Sequence, residues 1–276
     1  MNRTIVKRGF SVFIVLIFVI LCIFPIYWMV SSAFKSYSGL TSSDPNIIPR
    51  EFSLDFFSTV INYTPFLKFL KNSLIVGIGT VLTNLLVGSM AAYSLSRLKF
   101  KGKRILARGI LLTYVFPKMV IIIPLFVTIV KLRMLNTYTG LIITYVVFTF
   151  PFCVWMLTAF FNKIPRELEE CASIDGATNF RIYFRIILPL STPGLASAAI
   201  FTFLATWKEF LYAFLLLNSE SKKTLTVGMY GFIGAEVMEW GDILAFNTLM
   251  IIPVIVFFLI LQTSFIQGLT AGAVKG

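Results

Sequence analysis

The sequence lacks histidine altogether and is poor in charge: of 276 residues none is His, and only 13% are Asp, Glu, Lys or Arg. Without histidine the chain has neither the commonest metal ligand nor the side chain most often used as a general base near neutral pH. Cysteine is scarce too. Cys22 and Cys153 lie in apolar segments and Cys171 in a polar one, with no paired spacing, so no disulfide framework and no metal site is expected. No G-x-x-x-x-G-K-[ST] stretch occurs, so the phosphate-cradling loop of a nucleotide hydrolase is missing. No nucleophile-and-base cluster stands out either, which sets a membrane enzyme aside. Acidic residues number 12 against 24 basic ones, for a net charge of +12. That excess does not by itself imply nucleic acid; where the charges sit decides its meaning.

Apolar residues are abundant. The chain is 58% hydrophobic with a mean hydropathy of +0.89, whereas a soluble chain is roughly 45–50% apolar and about 25% charged. A folded chain of this length still exposes about a quarter of its surface, and here that surface has to face lipid. Six runs are long enough to cross ~30 Å of hydrocarbon, which takes ~20 helical residues: 10–34, 73–95, 105–130, 138–161, 193–217 and 243–266. The expected fold is an all-α membrane protein with six transmembrane helices in a single domain over 1–276. Arg3, Lys7 and Arg8 precede the first run as they would in a signal peptide. That run is too long for one, however, and bulky Tyr27-Trp28-Met29 stands where a cleavage site would follow. A retained helix with an aromatic cluster at the outer interface is expected.

Orientation follows from Lys and Arg. With the N-terminus inside, the cytoplasmic segments hold fourteen of these cations and the outer segments eight. The strongest signal is the loop from Arg97 to Arg108, with six cations and no acid. Both termini are therefore expected in the cytoplasm of a multi-pass protein of the bacterial plasma (inner) membrane. The outer loop 35–72 is long and rich in Ser and Pro, and 52–57 within it reads as an interfacial or short amphipathic element.

The cytoplasmic segment 163–189 carries four of the twelve acids and reads as helix, break, helix. Pro165 suits a first helical position, and Glu167, Glu169 and Glu170 suit the positive end of a helix dipole. Gly176 suits the left-handed position after a helix end. Thr178 or Asp175 is placed to cap the second helix, and Pro189 to end it.

Within this segment Glu170, Ala172, Gly176, Ile186, Leu188 and Pro189 fit the pattern E-A-A, three residues, G, nine residues, I-x-L-P, with Cys171 in place of the middle Ala. This resembles the signature loop of the membrane subunits of bacterial ATP-binding-cassette importers. The fuller string Glu167-Leu168-Glu169-Glu170-Cys171-Ala172-Ser173-Ile174-Asp175-Gly176-Ala177 is similar to that of the carbohydrate branch. Trp207-Lys208-Glu209-Phe210-Leu211 is similar to a W-N-E/D-F/Y-L run of the fifth helix in these permeases, with Lys208 for Asn. The tail 267–276 is similar to that of the maltose-type inner-membrane subunit.

The resemblance implies a permease subunit that forms the path for a sugar, of the di- or oligosaccharide class, delivered by an extracytoplasmic binding protein. It implies a second permease as partner and a dimeric ATPase that binds ATP and Mg, with no cofactor in this chain. Mapped residue by residue, it implies that Glu170, Cys171, Ala172, Asp175, Gly176 and Ala177 couple to the ATPase. Glu170 would pair with a basic residue there, and the alanines would allow close approach. Gly268, Thr270, Gly272 and Lys275 of the tail would also contact the ATPase.

Tyr114, Lys118, Trp207 and Glu209 are candidates for the substrate path, because charges inside a membrane are costly and usually functional and aromatics can stack on sugar rings. Lys118, Lys208 and Glu209 can also be read as snorkelling or local pairing, and the aromatics as lipid-facing. Residues 230–239 are a candidate contact for the binding protein. The rival reading is a self-sufficient secondary transporter, a class that often shows paired broken helices. Pro117 and Pro124 break the third run, and no matching segment is seen in the other half.

Overall fold

A computed structural model describes the backbone of residues 2–42, 46–234 and 239–270, and the side chains of 11–42, 46–231 and 239–266. The helices are α1 (Asn2–Ala33), α2 (Tyr37–Thr41), α3 (Asp55–Tyr63), α4 (Phe66–Thr83), α5 (Ser89–Arg97), α6 (Lys103–Val115), α7 (Lys118–Lys131), α8 (Tyr138–Phe161), α9 (Glu167–Ile174), α10 (Asn179–Ile182), α11 (Leu188–Leu190), α12 (Thr192–Trp207), α13 (Leu211–Leu216), α14 (Leu225–Gly234) and α15 (Trp240–Thr270). Two wide π turns, Asn84–Gly88 and Tyr183–Ile187, join α4 to α5 and α10 to α11. Among the described residues the only extended pairing is a bridge between Lys35 and Phe52.

Four stretches, 11–33, 66–97, 138–161 and 240–266, are long and apolar enough to cross a membrane. Two further candidates are bent: α6 with α7 by 103°, and α10–α11 with α12 by 76°. Two of the expected runs are therefore not continuous helices. Run 105–130 is broken because Pro117 bars the helical conformation at the residue before it, and Phe116 takes ψ 131. Pro124, also expected to break this run, lies inside α7. Run 193–217 stops at Trp207 and restarts at Leu211. The chain thus has a second broken span where only one was expected.

Hydroxyls inside the spans donate to carbonyls four residues back, as in Thr80 to Val76 O and Thr144 to Gly140 O. This satisfies polar side chains where no water can.

The chain divides into two compact units, 1–67 with 229–252 and 68–228 with 253–276. In the first unit α3 buries Phe56, Phe57 and Val60, the amphipathic element expected near 52–57. Phe34 packs on Phe57 with ring centroids 4.7 Å apart. Gly241 sits so close to Phe56 that a Cβ would come within 2.1 Å of its ring. α1 is exposed from 11 to 27; a helix apolar all round and uncovered belongs in lipid.

In the second unit α8 runs through two apolar clusters. One gathers Ala92, Tyr93, Leu157, Phe161, Ile182, Tyr183 and Ile187 from α5, α8 and the 179–190 segment. The other gathers Val76, Ile129, Leu141, Tyr145, Tyr212 and Leu216. Thr137 starts α8 by accepting from Gly140 N at 3.0 Å.

Candidate functional site

The 163–189 segment folds as the helical hairpin its sequence suggests. α9 begins at Glu167 with Glu167, Glu169 and Glu170 in its first turn, where the helix dipole favours negative charge. Pro165 stands two residues ahead of the helix rather than at its first position. Gly176 has φ 78, the left-handed state that glycine adopts without penalty, and Ala177 N donates to Ala172 O at 2.9 Å to close the turn. Thr178 caps α10, its hydroxyl accepting from Arg181 N at 3.4 Å. Asp175 instead ends α9. Pro189 lies within α11, and the chain turns at Ser191.

The hairpin has two unlike faces. Ala172 and Ala177 are half-buried and pack against the α5–α8 cluster of this chain, so their small size lets the hairpin seat on its own bundle. Glu169 turns the same way and forms an ion pair with Arg97 at the end of α5, with side-chain exposures of 14% and 6%. Arg97 also donates to Ile164 O at 2.8 Å. On the other face Glu170, Cys171, Asp175 and Gly176 are exposed. So are Ile174, at 86%, and Phe180, at 65%, with Leu168 and Phe184 nearby. Large apolar side chains uncovered on a charged hairpin mark a surface that something else covers. In the sequence Arg97 counts only as a loop cation and Glu169 only as a helix-dipole acid, and Ile174, Phe180 and Phe184 carry no site role there. An isoleucine between two polar residues at a helix end was the available signal for Ile174.

A second constellation forms where the broken spans meet α8. The Glu209 carboxylate accepts from Tyr212 N at 3.0 Å and Ala213 N at 3.2 Å, and so caps α13. It also accepts from the Tyr145 hydroxyl of α8 at 2.7 Å. Tyr212 in turn donates from its hydroxyl to Lys118 O at 2.7 Å, tying α13 to the first residue after the Pro117 break. The Phe148 ring lies 4.7 Å from Tyr212 and 5.7 Å below the Lys118 ammonium.

Of the four candidate path residues, Lys118 and Glu209 meet in this constellation. Tyr114 is exposed and packs its ring 5.8 Å from Phe152. Trp207 is buried and stacks on Phe203 at 5.1 Å, so its indole is committed to packing within this chain. Lys208 is exposed.

Gly268 and Thr270 fall at the end of α15, where only backbone is described, and Gly272 and Lys275 lie outside the described residues. Most of the 230–239 stretch also lies outside the described side chains; Tyr230 is exposed.

Comparison with known proteins then places these elements. A protein family described as binding-protein-dependent transport system inner membrane component matches residues 84–271, a span that holds the hairpin and both broken helices. An inner membrane ABC transporter permease protein of Escherichia coli is 34% identical over 277 residues, covering 100% of this chain and 99% of the relative. The trehalose/maltose transport system permease protein of Thermococcus litoralis is 34% identical over 285 residues, with 100% of both chains covered. The diacetylchitobiose uptake system permease protein of Streptomyces coelicolor is 33% identical over 277 residues, again covering 100% of both. A chain of a bacterial ABC transporter involved in the import of the acidic polysaccharide alginate shares the fold, with a TM-score of 0.82, 24% identity, and 96% and 99% of the two chains covered.

Proposed function

The chain belongs to the family of inner-membrane components of binding-protein-dependent transport systems, and from that premise we propose that it carries a di- or oligosaccharide across the membrane as one of two permeases in an ATP-driven importer. The chain is a transport permease and not an enzyme. In this reading it crosses the membrane six times, with both termini in the cytoplasm. ATP and Mg are held by a separate ATPase dimer, and an extracytoplasmic binding protein delivers the sugar.

The observation that carries the reading is the two-faced hairpin. Its inner face is fixed to this chain by Ala172, Ala177 and the Arg97–Glu169 pair. Its outer face presents Glu170 and Asp175 beside uncovered Ile174 and Phe180. Apolar anchors ringed by charge are what a protein partner buries and pairs, and Glu170 is free to make a charge-assisted contact with a basic residue of an ATPase. ATP-driven closure of that dimer then moves the hairpin, and the spans switch between inward- and outward-facing states. Tyr114 and Lys118 are the exposed path candidates that a sugar can reach.

The reading is tested by extracting the tagged chain in mild detergent and identifying what co-purifies, with an ATPase assay on the same sample. Recovery of a second permease and an ATPase with vanadate-sensitive hydrolysis is expected. Adding an extracytoplasmic binding protein with trehalose, maltose and diacetylchitobiose in turn then narrows the sugar. A stable chain recovered alone without hydrolysis contradicts the reading.

A further inference from the structure

We infer that Ser89, Tyr93 and Arg97 form a handle by which the cytoplasmic hairpin drives the inner half of the 66–97 span, with Arg97 as the positioning residue that fixes the hairpin's register on it. The three residues are spaced by four and so share one stripe of α5. Each meets the 164–183 segment. The Ser89 and Tyr183 hydroxyls are hydrogen-bonded at 2.6 Å. The Tyr93 and Tyr183 rings lie 5.1 Å apart. Arg97 holds Glu169 and Ile164 O. Arg97 Nε and Glu169 Oε1 face each other as a charge pair and make no further hydrogen bond among the described residues. Ser89, Tyr93 and Tyr183 are all buried.

Just above the handle the helix loosens. Residues Asn84–Gly88 form a π turn, a geometry found where helices bend or function demands it. That turn is held to α8 instead: Asn84 Nδ2 donates to Thr149 Oγ1 at 2.5 Å. The same span is thus held by the hairpin below its π turn and by α8 at it. α5 also lies along α8, but there Ala92 and Leu95 meet apolar side chains. Apolar contacts are non-directional and permit sliding, whereas an ion pair and hydrogen bonds fix register. When the hairpin moves, α5 follows it and the Asn84–Gly88 turn takes up the difference.

This inference rests on the hairpin being the element that an ATPase moves. That reading fails separately and earlier, if the unaltered chain purifies without an ATPase. The test uses the purified complex in proteoliposomes with its binding protein and the sugar it carries, measuring sugar moved and ATP hydrolysed together. Arg97→Gln and Glu169→Gln are expected to leave binding-protein-stimulated hydrolysis largely in place while sugar moved per ATP falls about tenfold, within the usual range of coupling energies. The exchange Arg97→Glu with Glu169→Arg is expected to recover most of that ratio. Where Arg97→Gln fails to assemble, Ser89→Ala with Tyr183→Phe removes both partners of one bond and is the gentler probe; a lowered ratio is expected there too. A ratio unchanged in every assembled variant overturns the inference. So does a fall of uptake and hydrolysis in proportion, which marks the contacts as structural only.

Discussion

Glu169 and Glu209 are both withdrawn from water in the same unit, yet they are held by opposite means. Glu169 has a counter-ion, Arg97, reached from another helix. Glu209 is held by dipoles: two backbone N–H groups at the start of α13 and the Tyr145 hydroxyl. A counter-ion fixes one helix on another and is exchangeable in principle. Dipoles of the backbone fix the acid to one place in the chain and admit no swap. The hairpin proposed to transmit motion uses the first device, and the break in a membrane span uses the second.

The comparison is broken most sharply at Glu209. Glu209→Ala leaves a phenol and two N–H groups without an acceptor, at about 1–3 kcal/mol each and less than additively, so a loss near 3 kcal/mol and a marked fall in the detergent melting temperature are expected. Glu209→Gln keeps one acceptor oxygen and is expected to lose about half as much. Unchanged melting in both variants contradicts the assigned cap. Next comes Glu169→Ala, which orphans a buried guanidinium. Breaking a fully buried pair costs about 3–5 kcal/mol, and the partial exposure of Glu169 lowers the expected cost to about 2 kcal/mol. Unlike Glu209, this position is expected to be rescued by charge exchange. A smaller effect is expected at Gly176→Ala. There φ is 78 with open space around the missing Cβ, so the cost is that of the left-handed backbone alone, about 1–2 kcal/mol; a cost near zero means the turn relaxes. The smallest is Thr178→Ala, an exposed cap with a long bond, expected at about 0.5 kcal/mol and readable as slightly faster hydrogen exchange at Arg181.

Much of this was legible in the residues. Length and hydropathy located the four long apolar helices, and 138–161 matches α8 to the residue. Gly176 and Thr178 declared the hairpin's turn and cap because their chemistry is local. What was hidden is non-local. Nothing near Arg97 says that it reaches Glu169, 72 residues later, or that Ala172 and Ala177 face inward. The break after Trp207 was missed because averaging over an apolar run conceals a single acid. Lys208-Glu209 inside that run was the signal: an acid there needs donors, and the start of a new helix supplies them. Pro117 announced its break openly, while Pro124 gave the same signal and was absorbed into α7.

The central claim is that this permease is driven from its cytoplasmic face through the exposed side of the hairpin. The most direct test is Glu170→Arg, assayed for sugar uptake in membrane vesicles alongside co-purification of the ATPase. Insertion of the variant at normal levels with the ATPase lost and uptake abolished is the predicted result. Uptake at the rate of the unaltered chain, with the ATPase still bound, contradicts it.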